Sequence, residues 1–191
     1  MIRVIAGTHR GREVKAPRGL EVRPILARIR KSLFDILTLR IGDALFLDLY
    51  CGSGAVGIEA LSRGARFAVF ADASRDSLAC ARGNLDVLGM ASRARDVRCD
   101  ATGNLEFLSL AGGGKFDIIF MGPPYKDKEK NPLSLVAPTL SAINSSEILA
   151  PDGLVIAQHH KKENAAPPPP FCLYRQEKYG DSMLSFYRLN K

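Results

Sequence analysis

Paired cysteines are missing from this sequence. Its four, Cys51, Cys80, Cys99 and Cys172, are scattered, with no C-x-x-C pair and no histidine at ligand spacing. The pattern excludes a disulfide scaffold and argues against zinc, so no metal is expected. Reduced thiols of a cytoplasmic protein are the plain reading. Long apolar runs are missing too. The longest, such as 44–47 and 154–157, fall far short of a bilayer crossing, so no membrane association is expected. The opening residues show no charged region followed by an apolar stretch, so no secretory signal is read.

What is present is one ordinary domain with an uneven charge. The chain has 191 residues, 46% of them hydrophobic, and a net charge of +7. Residues 1–40 hold ten Lys/Arg and three Asp/Glu, whereas 41–191 hold 17 of each. The whole excess therefore sits in the first fifth of the chain. That is the electrostatic footprint of a polyanion partner, with a solvated segment as the plainer alternative. The division expected is a basic arm over 1–24 and an α/β domain over 25–191.

Periodicity outlines the elements. Short strands are expected over 2–6 and 13–16, around the basic turn Gly7–Arg12, and a helix over 27–40 follows the loop at Pro17–Pro24. From residue 44 strands and helices alternate: strands over 44–50, 67–72, 95–100, 116–121 and 154–158, with a helix from the Gly-rich turn to about residue 63 and helices over 74–88, 102–110 and 133–148. Such alternation implies a parallel sheet covered on both faces. Pro167–Pro170 reads as a surface loop. Two last strands, 171–178 and 183–189, form a closing antiparallel hairpin.

The first of these alternating strands runs from Asp48 into Cys51-Gly52-Ser53-Gly54-Ala55-Val56-Gly57. Glycines let the backbone turn sharply and approach a ligand, and the following helix presents its N-terminal N–H groups. Gly52, Gly54 and Gly57 spell G-x-G-x-x-G, and Asp72 ends the next strand 20 residues after Gly52, where an acid takes ribose hydroxyls. An NAD dehydrogenase is thus one reading. Asp48 speaks against it, because a carboxylate there repels a pyrophosphate and suits the sulfonium and ammonium of S-adenosyl-L-methionine. Asp100 is placed either to reach the cofactor's adenine amine or to cap the helix expected over 102–110. Cys51, beside the loop, is a nucleophile only on the lesser reading.

Gly122-Pro123-Pro124-Tyr125 ends the fourth strand of this series, where ligands of such folds bind. Two prolines fix φ and can hold a backbone carbonyl ready to accept hydrogens from a base amine. Tyr125 offers a face for a splayed-out base. Rate then comes from aligning amine and methyl, with no covalent intermediate and no metal.

Taken together, the chain resembles the RsmD family of 16S rRNA guanine-N2 methyltransferases. The matching residues are Arg3–Gly7 with Arg10-Gly11-Arg12, Arg23-Pro24 followed by Arg28–Phe34, Asp48–Gly54 with Gly57–Ala65, Asn84-Leu85, Phe116-Asp117 leading to Pro123-Pro124-Tyr125, and Tyr179-Gly180. The resemblance implies a Rossmann-like class I methyltransferase fold, with a mostly parallel seven-stranded sheet, a closing antiparallel hairpin and a basic N-terminal β-hairpin extension. It implies a monomer that transfers a methyl from S-adenosyl-L-methionine to a guanine N2 amine, in small subunits assembled or assembling in the cytoplasm. Asp48, Gly52, Ser53, Gly54, Asp72 and Asp100 would hold the cofactor. Gly122, Pro123, Pro124 and Tyr125 would form the catalytic corner, and Arg10, Arg12, Arg23 and Arg28 would meet RNA. Three features depart from the family pattern. Gly122 stands where the family has Asp, Ile25-Leu26-Ala27 replace a polar helix start, and Lys31 replaces Glu. Slowed transfer is expected from Gly122. The alternatives are methylation of another base amine, such as adenine N6, and a cofactor- and RNA-binding protein with weakened catalysis.

Overall fold

In the computed structural model, residues 2–17, 25–127 and 129–190 are described. Strand β1 (Ile2–Arg3) pairs antiparallel with β2 (Glu13–Val14), and helix α1 spans Ala27–Ile36. The alternating region follows as β3 (Leu45–Leu49), α2 (Ala55–Ser62), β4 (Phe67–Asp72), α3 (Arg75–Val87), β5 (Ala94–Arg98), α4 (Glu106–Gly112), β6 (Phe116–Met121) and α5 (Val136–Ser145). Strands β7 (Leu149–His160), β8 (Phe171–Tyr179) and β9 (Ser182–Leu189) close the sheet.

The seven strands lie in the order β5-β4-β3-β6-β7-β9-β8. From β5 to β7 every pairing is parallel; β9 runs antiparallel to both β7 and β8. The chain winds outward one way through β4 and β5, then returns to β3 and winds the other way through β6 and β7. Strands β3 and β6 therefore flank the switch point, and the loops beyond their carboxyl ends diverge to leave a crevice.

Strand β3 is buried at all five positions, as a central parallel strand covered on both faces must be. Phe46 joins one core with Phe34, Ile58 and Phe70, beneath α1, α2 and α3. Leu45, Leu47 and Leu49 join the other with Leu108, Leu140 and Ile143, beneath α4 and α5. Asp48 is the polar interruption, one residue from the carboxyl end of β3. No helix of the described residues is long and apolar enough to cross a membrane.

Strands β4 and β6 match the sequence expectation at both ends, and α3 begins after Ser74, whose hydroxyl accepts the Ser77 N–H at 3.3 Å. Other boundaries moved. The expected helix over 102–110 starts at Glu106, because Asp100 folds its carboxylate onto the Thr102 N–H and hydroxyl, at 2.9 and 2.8 Å. That closes a turn and does not cap a helix. The strand expected over 154–158 starts earlier, at Leu149, and takes Pro151–Gly153 inside β7 as an irregularity, where the register against β6 shifts between Phe116 and Ile118. Helix α1 stops at Ile36, and residues 37–40 continue only as turns. Its N-cap, Leu26, makes no side-chain cap, as the apolar start implied.

Candidate active site

The loop after β3 is shaped by left-handed residues: Tyr50 (φ 61°), Gly52 (φ 54°) and Gly54 (φ 76°), the last serving as N-cap of α2. Gly57 has a different reason to be glycine. A Cβ there would lie 2.4 Å from the Phe70 ring, so α2 packs closer to β4 than any side chain allows. Gly54 caps α2 without a side chain, and Asp48 supplies what it lacks. The Asp48 Oδ2 accepts the Gly57 N–H at 2.9 Å from beneath the helix start. One of the N–H groups expected to face a ligand is thus spent internally. Burial pushes the Asp48 carboxyl up to about 8, the Gly57 N–H opposes this, and nearby Asp72 adds to it.

Asp72 ends β4 with both oxygens engaged: Oδ2 accepts the Gly52 N–H at 3.0 Å and Oδ1 the Ser74 N–H at 2.8 Å. Each oxygen keeps a lone pair for a further donor, so the side chain is fixed in place and still able to bind. Ser53 is buried, and its carbonyl accepts from Asn84 at 2.9 Å. Asp100 is exposed, and its hydrogen bonds to Thr102 hold it below the usual carboxylate range. Cys51 is buried, and burial with Asp48 and Asp72 pushes its thiol well up, which leaves the nucleophile reading without a thiolate. Cys99, beside Asp100, is held up at about 11 by the same kind of cause.

Across the switch point, Gly122 donates its N–H to the Leu49 carbonyl at 3.3 Å, which ties the two strand ends together. Pro123 is buried and Pro124 exposed. Tyr125 is half-buried and clamped: the Gln158 amide donates to its hydroxyl at 3.0 Å, and that hydroxyl donates to Ser182 at 3.2 Å. The His160 ring meets the Tyr125 ring edge-on, with centroids 5.8 Å apart. Sequence reading missed Gln158, His160 and Ser182. They arrive from β7 and β9, and nothing local marks them. Tyr50 was missed likewise; its hydroxyl bonds Thr139 at 2.8 Å, and burial holds it up at about 12.

Arg10 and Arg12 are exposed on the turn between β1 and β2, and Arg28 is exposed at the start of α1. Arg23 lies outside the described residues. The hairpin is docked onto the domain. Buried Glu59 on α2 accepts the N–H groups of Ile5 and Ala6 at 2.8 and 3.0 Å, while Ser62 and Asn84 bond Ala6, His9 and Lys15. Val4 and Val14 complete the contact inside the same core as α2.

A seven-stranded sheet of this order, with a Gly-rich loop after its first central strand, defines a class I methyltransferase fold. The family model described as "Conserved hypothetical protein 95" matches residues 2–188, and the chain belongs to this family, the RsmD family. It is 31% identical over 188 residues, 98% of each chain, to "Putative rRNA methyltransferase YlbH" of Bacillus subtilis (strain 168). It is 34% identical over 157 residues to "Ribosomal RNA small subunit methyltransferase D" of Escherichia coli (strain K12), covering 82% of this chain and 74% of that protein. Among solved structures it is similar to "Putative methyltransferase yhhF from Escherichia coli", with a TM-score of 0.79 and 30% identity over 98% of this chain and 97% of that one.

Proposed function

We propose that this chain transfers a methyl group from S-adenosyl-L-methionine to the exocyclic N2 amine of a guanine in 16S rRNA. It acts as a monomer in the cytoplasm, on small subunits assembled or assembling. The observation that carries the reading is the juxtaposition at the switch point. A Gly-rich loop ringed by Asp48, Asp72 and Asp100 stands opposite a rigid Pro-Pro-Tyr corner, and the Gly122–Leu49 hydrogen bond joins them.

The donor set fits a cationic ligand without phosphate. Asp48 is buried under the loop, and burial pushes its carboxyl up to about 8. A sulfonium or ammonium brought nearby favours its ionised form, whereas a pyrophosphate would raise its pKa further. Asp72 is oriented for ribose hydroxyls and Asp100 for the adenine amine, while Gly52, Ser53 and Gly54 let the backbone approach. S-adenosyl-L-methionine supplies, when bound, an electrophilic methyl on its sulfonium. Everything else falls to the corner. Tyr125, held by Gln158 and Ser182, stacks the flipped guanine. Backbone carbonyls fixed by Pro123 and Pro124 accept the amine hydrogens and aim its lone pair. The proton lost after transfer passes to water. Arg10, Arg12, Arg23 and Arg28 hold phosphates and do not read bases.

The decisive experiment offers labelled S-adenosyl-L-methionine to undermethylated small subunits, naked rRNA and DNA. Label on a guanine N2 of the subunits is the expected result; tight NAD binding with no response to S-adenosyl-L-methionine overturns the reading. Gly122 supports one second reading, a cofactor- and RNA-binding protein with weakened catalysis, which would bind both ligands and transfer no label.

A further inference from the structure

Asn84 lies on α3, 4% exposed, with no part in the chemistry described above. Its side-chain amide uses both N–H groups and its oxygen. Nδ2 donates to the carbonyls of Ser53 and Lys15, each at 2.9 Å, and Oδ1 accepts the Lys15 N–H at 2.9 Å. Lys15 directly follows β2, so the amide acts as the next strand partner of the basic hairpin. Ser53 sits between Gly52 and Gly54, both left-handed and without a Cβ to stiffen them. Its carbonyl is therefore held from outside, by the side chain that also holds the hairpin.

We propose that Asn84 is a positioning residue that couples the hairpin to the cofactor loop, so that RNA on the hairpin and S-adenosyl-L-methionine on the loop tighten each other's binding. The proposal rests on the functional reading above. A saturated buried amide cannot follow one partner without abandoning the other, and an abandoned buried carbonyl is costly. The hairpin's other anchors lead to the same place. Glu59 and Ser62, which hold Ile5, Ala6 and His9, stand on α2, the helix whose first residue follows Gly54. Phosphates loaded on Arg10 and Arg12 press on a body rigidly joined to the loop, and a loop ordered by cofactor stiffens the hairpin. Linkage makes the effect reciprocal.

The test is a four-cornered binding cycle with S-adenosylhomocysteine, which cannot react, and undermethylated small subunits. The wild type is expected to bind S-adenosylhomocysteine about fivefold or more tightly in the presence of subunits, the lower end of measured couplings. In Asn84→Ala, and in Asn84→Asp, which keeps the acceptor for the Lys15 N–H and loses both donors, to the Ser53 and Lys15 carbonyls, that factor falls to about one while each melts cooperatively. A purely structural role would lower the melting temperature and leave the factor intact. As a readout that needs no variant, subunit binding should slow amide exchange at residues 52–57 of the wild type. Unchanged exchange, a wild-type factor of one, or the full factor in both folded variants overturns the proposal alone. Failure of the wild type to bind S-adenosylhomocysteine overturns the functional reading, and the proposal with it.

Discussion

Gly122 leaves the Pro-Pro-Tyr corner without a side-chain acceptor, and crowding is not the reason. Its backbone lies outside the left-handed region, and an added Cβ would come 3.2 Å from the nearest Phe120 ring carbon, a contact that a shift of a few tenths of an ångström relieves. A Cβ is therefore admitted where the Phe120 ring gives way. Losing one preorganised transition-state partner costs roughly 2–4 kcal/mol, on the order of a hundredfold in rate. Gly122→Asp should raise single-turnover methyl transfer by about that factor with little change in cofactor affinity. Equal rates would show that the backbone carbonyls suffice. Asp48 makes a second prediction. Its folded pKa, about 8, stands above the ordinary 3.8, so the folded state holds a proton the unfolded state has released. The stability this confers is complete below the unfolded pKa and is lost as pH rises through the folded one. Between those values the unfolding free energy should fall by up to about 1.4 kcal/mol per pH unit. Asn at position 48 keeps an acceptor for Gly57 and has no proton to lose, so urea melts of Asp48→Asn should lack that slope. A slope shared by both proteins would assign it to another group.

At the level of elements, legibility followed where backbone hydrogen bonds are satisfied. Strands β4 and β6 could be read to the residue, because each is an apolar run closed by turn residues and paired on both sides. The opening strands were drawn too long for a physical reason. Ile5 and Ala6 give their N–H groups to Glu59, and Lys15 gives its own to Asn84, so side chains finish what a ladder would have continued. No local pattern marks such long-range partners. The glycines, Asp72 and the Pro-Pro-Tyr corner could be placed at strand ends because each lies within one short segment of the chain. The clamp on Tyr125 was not, since Gln158 and Ser182 are 33 and 57 residues away. Arg30 shows the same limit. A charged residue on a helix is ordinarily solvated, yet Arg30 is 1% exposed, its Nε lies 3.6 Å from Glu59, and it donates to the Arg3 carbonyl. Burial holds its pKa below the usual range, Glu59 opposes this, and Arg63 adds to it. Glu59→Ala removes the counter-charge from a buried guanidinium and strips two hairpin N–H groups of their acceptor. A loss of about 3–5 kcal/mol follows, seen as a melting point lower by on the order of 10 °C. A shift within 2 °C, measured against a melting change of about 2–4 °C per kcal/mol for a domain this size, would show that the hairpin does not depend on this residue.

Across the whole molecule, the basic turn and the Pro-Pro-Tyr corner lie at opposite ends of the sheet. Helices α2 and α3 start beside the Gly-rich loop and run back toward the amino edge. The turn is bound at their far ends: Thr8 and His9 donate to Ser62 at 2.9 and 3.0 Å, and the His9 ring meets the Leu88 carbonyl at 3.0 Å. The eight residues of α2 alone account for about 12 Å of that separation. An RNA that touches Arg10 and Arg12 while its guanine reaches Tyr125 must wrap one side of the domain. A folded ribosomal particle presents such a surface, whereas a short hairpin carrying only the target guanine does not. Neutralising Arg10 and Arg12 together should therefore lower kcat/KM strongly on undermethylated small subunits and barely on a short RNA hairpin. On the particle, the dependence of log affinity on log salt should flatten by about 1.4–1.8, at roughly 0.7–0.9 for each phosphate contact removed. Equal losses on both substrates would place the arginines at the corner itself. No loss on either would leave the charge of the first 40 residues as a solvated face and move the RNA-holding surface to Arg28 and the loops around Tyr125.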